Sequence, residues 1–284
     1  MLDLYSIGEM MWLTTLNLTT FPKPGSTTEL INVYNMIGND ATITALMASR
    51  MGLKVKLCSN SVFDHDGNRL IEILRRNKVG LDLSISKEKH TPINFCLSEQ
   101  SGRRTWLPPL GDFFPTLPHK RIDANCFYLD FYEESLEARL NVLSRLISQN
   151  QKIYLNLSDS SVDRKVRFLQ KNNKEKLHII QTSSQADLTQ AKKIAKNIMK
   201  LLSPKGVIVT IGEKGSVLCT KKGISIIEIN IGRHKKNRRN MGAGASFSAG
   251  FISGIASGAS LEDSHAIASE HSVDFCLRKD DPLQ

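Results

Sequence analysis

Gly242, Ala243, Gly244 and Ala245 head a small-residue apolar stretch, which read by itself suits a packing device or a cradle for anions. Glycines before a helix let backbone N–H groups approach a phosphate, and the unpaired N–H groups of a first helical turn attract negative charge. Phosphoryl transfer needs positioning, charge stabilisation and one group to accept the nucleophile's proton. Ala245 cannot accept a proton, so this segment offers the cradle without the base. The basic run Arg233-His234-Lys235-Lys236-Asn237-Arg238-Arg239 stands just ahead of it. Arg238 or Arg239 would neutralise a bound phosphate; the alternative is a solvated loop. No aromatics interleave in the run, which counts against nucleic-acid contact.

Other residues with chemical potential read more simply. Glu9, near the end of a first strand, suits a structural hydrogen-bonding acid. Asp64 and Asp66 near Gly67 suit turn and helix-cap roles as well as metal binding. The seven histidines, among them His65, His119 and His271, show no metal-ligand pairing. The five cysteines are scattered and odd in number, which fits free thiols in a reducing compartment.

The elements that must position these groups follow from hydrophobic periodicity. Short apolar runs at 55–58, 126–129, 152–155, 177–180 and 206–211 read as strands. Segments 68–77, 135–148 and 187–201 repeat their apolar residues at helical spacing. Such alternation predicts a parallel α/β sheet with crossover helices. Two regions, about 12–34 and 93–107, break the pattern and read as extended segments of a small accessory sheet. One domain over residues 1–284 with a minor lid is expected. Its 40% hydrophobic content is enough for a sizeable core.

A net charge of +10, from 38 Lys and Arg against 28 Asp and Glu, permits anionic partners without naming one. The uncharged stretch 240–261 is dominated by Gly, Ser and Ala, so it reads as a buried or half-buried helix and not as a membrane span. The N-terminus shows no export signal, and a cytoplasmic protein is expected.

Several segments together resemble the ribokinase/PfkB carbohydrate-kinase family over essentially the whole length. Ile7-Gly8-Glu9 looks like its first strand, and Pro24-Gly25 precedes Gly38-Asn39 and the helix after it. Asp64-His65-Asp66-Gly67, Val79-Gly80-Leu81-Asp82, Thr91 and Gly102-Arg103-Arg104-Thr105 follow in order. Thr210-Ile211-Gly212-Glu213-Lys214-Gly215 resembles the nucleotide-site strand and turn, and Gly242-Ala243-Gly244 completes the set.

The resemblance implies a ribokinase-like doubly wound sheet flanked by helices, a β lid over the acceptor site, and transfer of the ATP γ-phosphoryl group to a sugar-like hydroxyl. Thr210, Gly212, Gly215, Arg239, Gly242, Ala243 and Gly244 would then hold nucleotide or phosphate. ATP and Mg are the implied cofactors, with no zinc or haem. The departures sit at chemical positions. Ala245 replaces the family's base, and Arg239-Asn240 its acidic lead-in. Leu13 replaces a sugar-gripping acid, Asn39 the second glycine of a pair beginning at Gly38, and Ile43 a sugar-binding Asn. Ser184-Gln185-Ala186-Asp187 keeps only Asp187 of the element that organises magnesium.

Apolar groups cannot hydrogen-bond a polyol, and burying its hydroxyls unpaired is costly. The expected protein is therefore a pseudokinase that binds a nucleotide or phosphorylated small molecule. An active divergent kinase using another carboxylate, Asp187 or Asp40, is the first alternative, and a protein or nucleic-acid interaction module is the second. The resemblance allows a homodimer and implies no membrane partner.

Overall fold

A computed structural model describes residues 1–99, 103–158, 161–172, 177–185, 187–229 and 241–278. Among the described residues, nine strands form one sheet in the order β13-β12-β11-β10-β9-β8-β1-β4-β5. Seven run parallel: β1 (Leu2–Ile7), β4 (Val55–Ser61), β5 (Gly80–Ile85), β8 (Ala124–Asp130), β9 (Ile153–Asn156), β10 (Ile179–Ser183) and β11 (Gly206–Thr210). The parallel sheet expected from the sequence is in fact mixed. β12 (Ser216–Thr220) and β13 (Gly223–Ile227) add an antiparallel edge, because the tight turns after β11 and β12 leave no room for crossover helices.

Side chains on a strand alternate between faces, and the alternation divides the interior into two cores. Leu4, Tyr128, Tyr154 and Ile208 point into one, with α1 (Asp40–Arg50), α2 (His65–Arg76), α6 (Ala243–Ala256) and α7 (Leu261–Leu277). Tyr5, Phe127, Leu129 and Ile180 point into the other, with α3 (Leu136–Ser148), α4 (Val162–Asn172) and α5 (Leu188–Leu202). Helix starts are capped by side chains: Asp64 accepts from Gly67 N, Asp187 from Gln190 N and Ser260 from Asp263 N. Asp64 also accepts from Thr91 N at 2.8 Å, and burial notwithstanding, the hydrogen bonds from Thr91 and Gly67 hold its carboxyl below the usual range.

A second sheet stands apart from the first, in the order β3-β2-β6-β7. It contains β2 (Met11–Leu18), β3 (Leu30–Gly38), β6 (Ile93–Glu99) and β7 (Arg104–Leu107). Both segments read as extended in the sequence therefore supply it. β3 runs into α1 with Asn39 alone between them.

The parallel strands wind outward in both directions from the neighbours β1 and β8, so their carboxyl ends meet at a switch point. In open α/β sheets this is where ligands bind.

Candidate functional site

At the switch point stands Arg139, buried between the residues that follow β1 and end β8. Its helix, α3, buries Val142, Leu143 and Leu146 on the same face, and the guanidinium is carried inward with them. Nη2 donates to Glu9 Oε1, and Nη1 to both Asp130 Oδ1 and the Asp130 carbonyl, the last at 2.8 Å. Nε donates to the Glu134 carbonyl at 2.9 Å, and the group lies 4.3 Å from the Phe114 ring centroid. Glu9, Asp130 and Arg139 are all buried. One cation thus faces two carboxylates. Burial pushes the Asp130 carboxyl up, opposed by Arg139 and assisted by Glu9 and Asp40. Its Oδ2 is buried without a hydrogen-bond partner, and a Cβ on Gly8 would stand only 2.7 Å from it.

The second oxygen of Glu9 reaches the start of α1. Asn39 Nδ2 donates to Glu9 Oε2 at 2.8 Å, while Asn39 Oδ1 caps the helix by accepting from Ala41 N at 2.9 Å. Asn39 has φ 69°, a backbone conformation that glycine adopts most cheaply. The Glu9 carbonyl accepts from Thr42 Oγ1 at 2.7 Å.

From Asp40 a polar ladder crosses to α6. Asn156 Nδ2 donates to Asp40 Oδ2 and to the Tyr128 hydroxyl, each at 2.9 Å. Tyr128 hydrogen-bonds Thr44, and Thr44 Oγ1 donates to the Ala245 carbonyl at 3.3 Å. The Tyr132 hydroxyl also bonds Asp40. Burial, reinforced by Asp40 and Asp130, holds both tyrosines well above the usual phenol range, so they remain protonated donors.

The far wall is the start of α6. Gly242, with φ 87°, is its N-cap residue, and Ser246 N makes the helical bond to the Gly242 carbonyl. Gln181 Nε2 donates to the Gly244 carbonyl at 3.2 Å, and Ser248 Oγ donates to Gln181 Oε1 at 3.0 Å. A Cβ on Gly244 would meet only that Gln181 nitrogen, at 4.0 Å. Among the described residues nothing else stands there, which suits a phosphate group against backbone N–H donors. The Ala243 carbonyl accepts from Ser272 Oγ of α7 at 3.2 Å.

Thr210 ends β11, Gly212 opens a short 3-10 turn with φ 58°, and Gly215 closes it with φ 109°. The Thr210 carbonyl accepts from Ser184 N at 2.9 Å, tying this turn to the end of β10.

The residues singled out from sequence fall into distinct surroundings. Leu13, Ile43 and Ala245 are buried in one apolar cluster with Trp12, Met36, Ile37 and Phe247. Gly38 lies against Leu13, whose Cβ would be 3.1 Å from a Cβ there. Asp187 caps α5. Arg239, with the rest of the run at 233–239, lies outside the described residues. Arg139, Asp130, Asn156, Tyr128 and Gln181 were not anticipated from sequence. Arg139 did leave a signal, since it occupies the apolar stripe formed with Leu136, Leu143 and Leu146, and a cation there demands buried partners.

The described residues contain no group of three His, Cys, Asp or Glu side chains able to hold a metal. Magnesium is commonly held by one or two carboxylates, water and substrate phosphates, so the arrangement is compatible with a metal carried in by a nucleotide. No helix among the described residues is long and apolar enough to cross a membrane.

Known proteins share this architecture. The ribokinase of Cryptococcus neoformans var. grubii, solved with ADP, superposes with a TM-score of 0.81 at 19% identity, covering 99% of this chain and 95% of that one. The nucleoside kinase of Methanocaldococcus jannaschii gives 0.75 at 19% identity, covering 97% and 92%. At the sequence level, a nucleoside kinase of Methanothermobacter thermautotrophicus is 26% identical over 98 residues. That alignment spans 34% of this chain and 32% of the relative's length. The model of the pfkB family carbohydrate kinases matches residues 1–273. With that match over almost its whole length, the chain belongs to the pfkB carbohydrate-kinase family.

Proposed function

We propose that this protein binds a nucleotide or a phosphorylated small molecule across the start of α6 and transfers phosphoryl groups at no more than a residual rate. The observation that carries the reading is the contrast between two adjacent residues. Gly244 is exposed, with only Gln181 among the described residues near a Cβ there, whereas Ala245 is an apolar side chain wholly buried among other apolar groups. A missing general base lowers such a rate by about 10² to 10⁴ when positioning and charge stabilisation persist. The ADP held by the Cryptococcus ribokinase makes an adenine nucleotide the first ligand to try.

The apolar cluster containing Leu13 and Ile43 supports an acceptor less hydroxylated than a free sugar, because a polyol laid against it would leave hydroxyls unpaired. Calorimetric titration with ATP and magnesium, followed by coupled ADP-release assays across sugars and nucleosides, tests the reading. Measurable affinity with slow ADP release is expected. Absence of affinity, or fast magnesium-dependent turnover, would overturn it.

A further inference from the structure

Among the described residues several carboxylates stand near the carboxyl ends of the parallel strands, and some are committed to structure. Glu9 and Asp130 are buried on Arg139. Asp187 holds the first turn of α5 through Gln190 N at 2.8 Å. Asp40 is half-buried and is held by Asn156 Nδ2 at 2.9 Å. We propose that Asp40 has taken over proton acceptance from the position now occupied by Ala245, so that the residual phosphoryl transfer of this protein runs through α1 and not through α6. The inference rests on the nucleotide-binding reading above and goes beyond it by naming the group that does the chemistry.

Geometry supports the assignment from two sides. Asp40 and Thr44 lie one helical turn apart on the same face of α1, and Thr44 reaches the Ala245 carbonyl at 3.3 Å. Asn156, the partner of Asp40, is the strand neighbour of Gln181, and Gln181 holds the Gly244 carbonyl at 3.2 Å. Neighbouring strands are about 4.8 Å apart, so Asp40 and the α6 cradle bracket one strand end. Asn156 and Tyr132 orient the carboxylate with donated hydrogen bonds.

In the step proposed, an acceptor hydroxyl oxygen bonds to the γ-phosphorus of a nucleoside triphosphate substrate as the bond from that phosphorus to the bridging β-oxygen breaks. The hydroxyl proton passes to Asp40, the nucleoside diphosphate departs with the electron pair, and Asp40 returns its proton to water.

The test uses the full chain with ATP and magnesium, alone and with a panel of pentoses and nucleosides. ADP release is measured against pH for the parent, Asp40→Asn, Asp40→Glu and the double variant Asp40→Asn/Ala245→Asp. ATP affinity is measured by calorimetry alongside. For Asp40→Asn we expect ADP release to fall about 10²-fold, the acid limb of the pH profile to vanish, and ATP affinity to stay within about two-fold of the parent. Asp40→Glu should keep part of the rate and the acid limb. Restoring an acid at position 245 should revive the Asp40→Asn protein; if that double variant does not fold, the pH profile and Asp40→Glu decide. Parental ADP release from Asp40→Asn, or rate and ATP affinity lost together, would overturn the inference. Tight ATP binding with no ADP release by the parent under any acceptor would overturn it while leaving the nucleotide-binding reading intact. Absence of ATP affinity would remove both.

Discussion

Arg139 and Asn39 are joined through the two oxygens of one carboxylate: the guanidinium bonds Glu9 Oε1 and the amide bonds Glu9 Oε2 at 2.8 Å. A cation on α3 thereby fixes the cap of α1, on the other side of the sheet, and with it the helix that carries Asp40.

Removing that cation has a large expected cost. Arg139→Met leaves Glu9 and Asp130 buried and uncompensated, and breaking a buried pair in this way costs about 3–5 kcal/mol. Arg139→Lys should be intermediate, because a point charge cannot reproduce the bidentate fork. Urea denaturation of the two variants beside the parent checks the order.

Asn39 combines a helix cap with a glycine-like backbone. Asn39→Gly loses the cap and the bond to Glu9 but relieves the φ of 69°, so it should stay within about 1 kcal/mol of the parent. Asn39→Ala loses the same bonds without relief and should cost about 2–3 kcal/mol. A reversal of that ranking in denaturant melts would show that relief of the positive φ does not govern the site.

The turn after β11 separates two glycines of the same motif. A Cβ at Gly215 would stand 1.9 Å from the Ile227 carbonyl oxygen at φ 109°, so Gly215→Ala should disrupt the pairing of β12 with β13. Gly212 has φ 58° with nothing within 4 Å of a Cβ, so Gly212→Ala should cost only about 1 kcal/mol of backbone strain. Amide hydrogen exchange in residues 216–227 distinguishes the two, with fast exchange expected for Gly215→Ala alone.

His265 predicts an acid limb in stability. It is buried against Ser216 Oγ at 2.7 Å, and burial pushes its imidazole down to about 4. Between pH 6.5 and about 4 the unfolded chain binds the proton and the folded one does not. Stability should therefore fall as pH drops through that window, by about 3 kcal/mol at its lower end. His178, also pushed down to about 4 by burial and by Lys205 and Lys152, adds to the same slope. His265→Gln should flatten the dependence of the melting midpoint on pH without abolishing it.

Much of the architecture was legible from local pattern. Residues 135–148 carry apolar residues at helical spacing and form α3 with Ser135 as N-cap residue, and residues 126–129 fall within β8. The antiparallel edge was not legible, since a short apolar run looks alike in either direction. Within the site, that position 245 carries no acid can be read directly from its residue type. The polar ladder cannot, because Asn156 and Gln181 sit in strands whose partners Asp40 and Gly244 are 116 and 63 residues away. Periodicity reports which face a residue takes and says nothing of which distant residue meets it there. The basic run at 233–239, conspicuous by charge, lies outside the described residues.

The joint between β3 and α1 is a single residue. A hinge that short transmits displacement instead of absorbing it, so a tilt of the small sheet would drag the first turn of α1, and its carboxylate, along the same arc. Occupancy on the acceptor side and occupancy at the phosphate cradle would then belong to one mechanical equilibrium, and the free energies of binding two ligands together would depart from the sum of binding each alone.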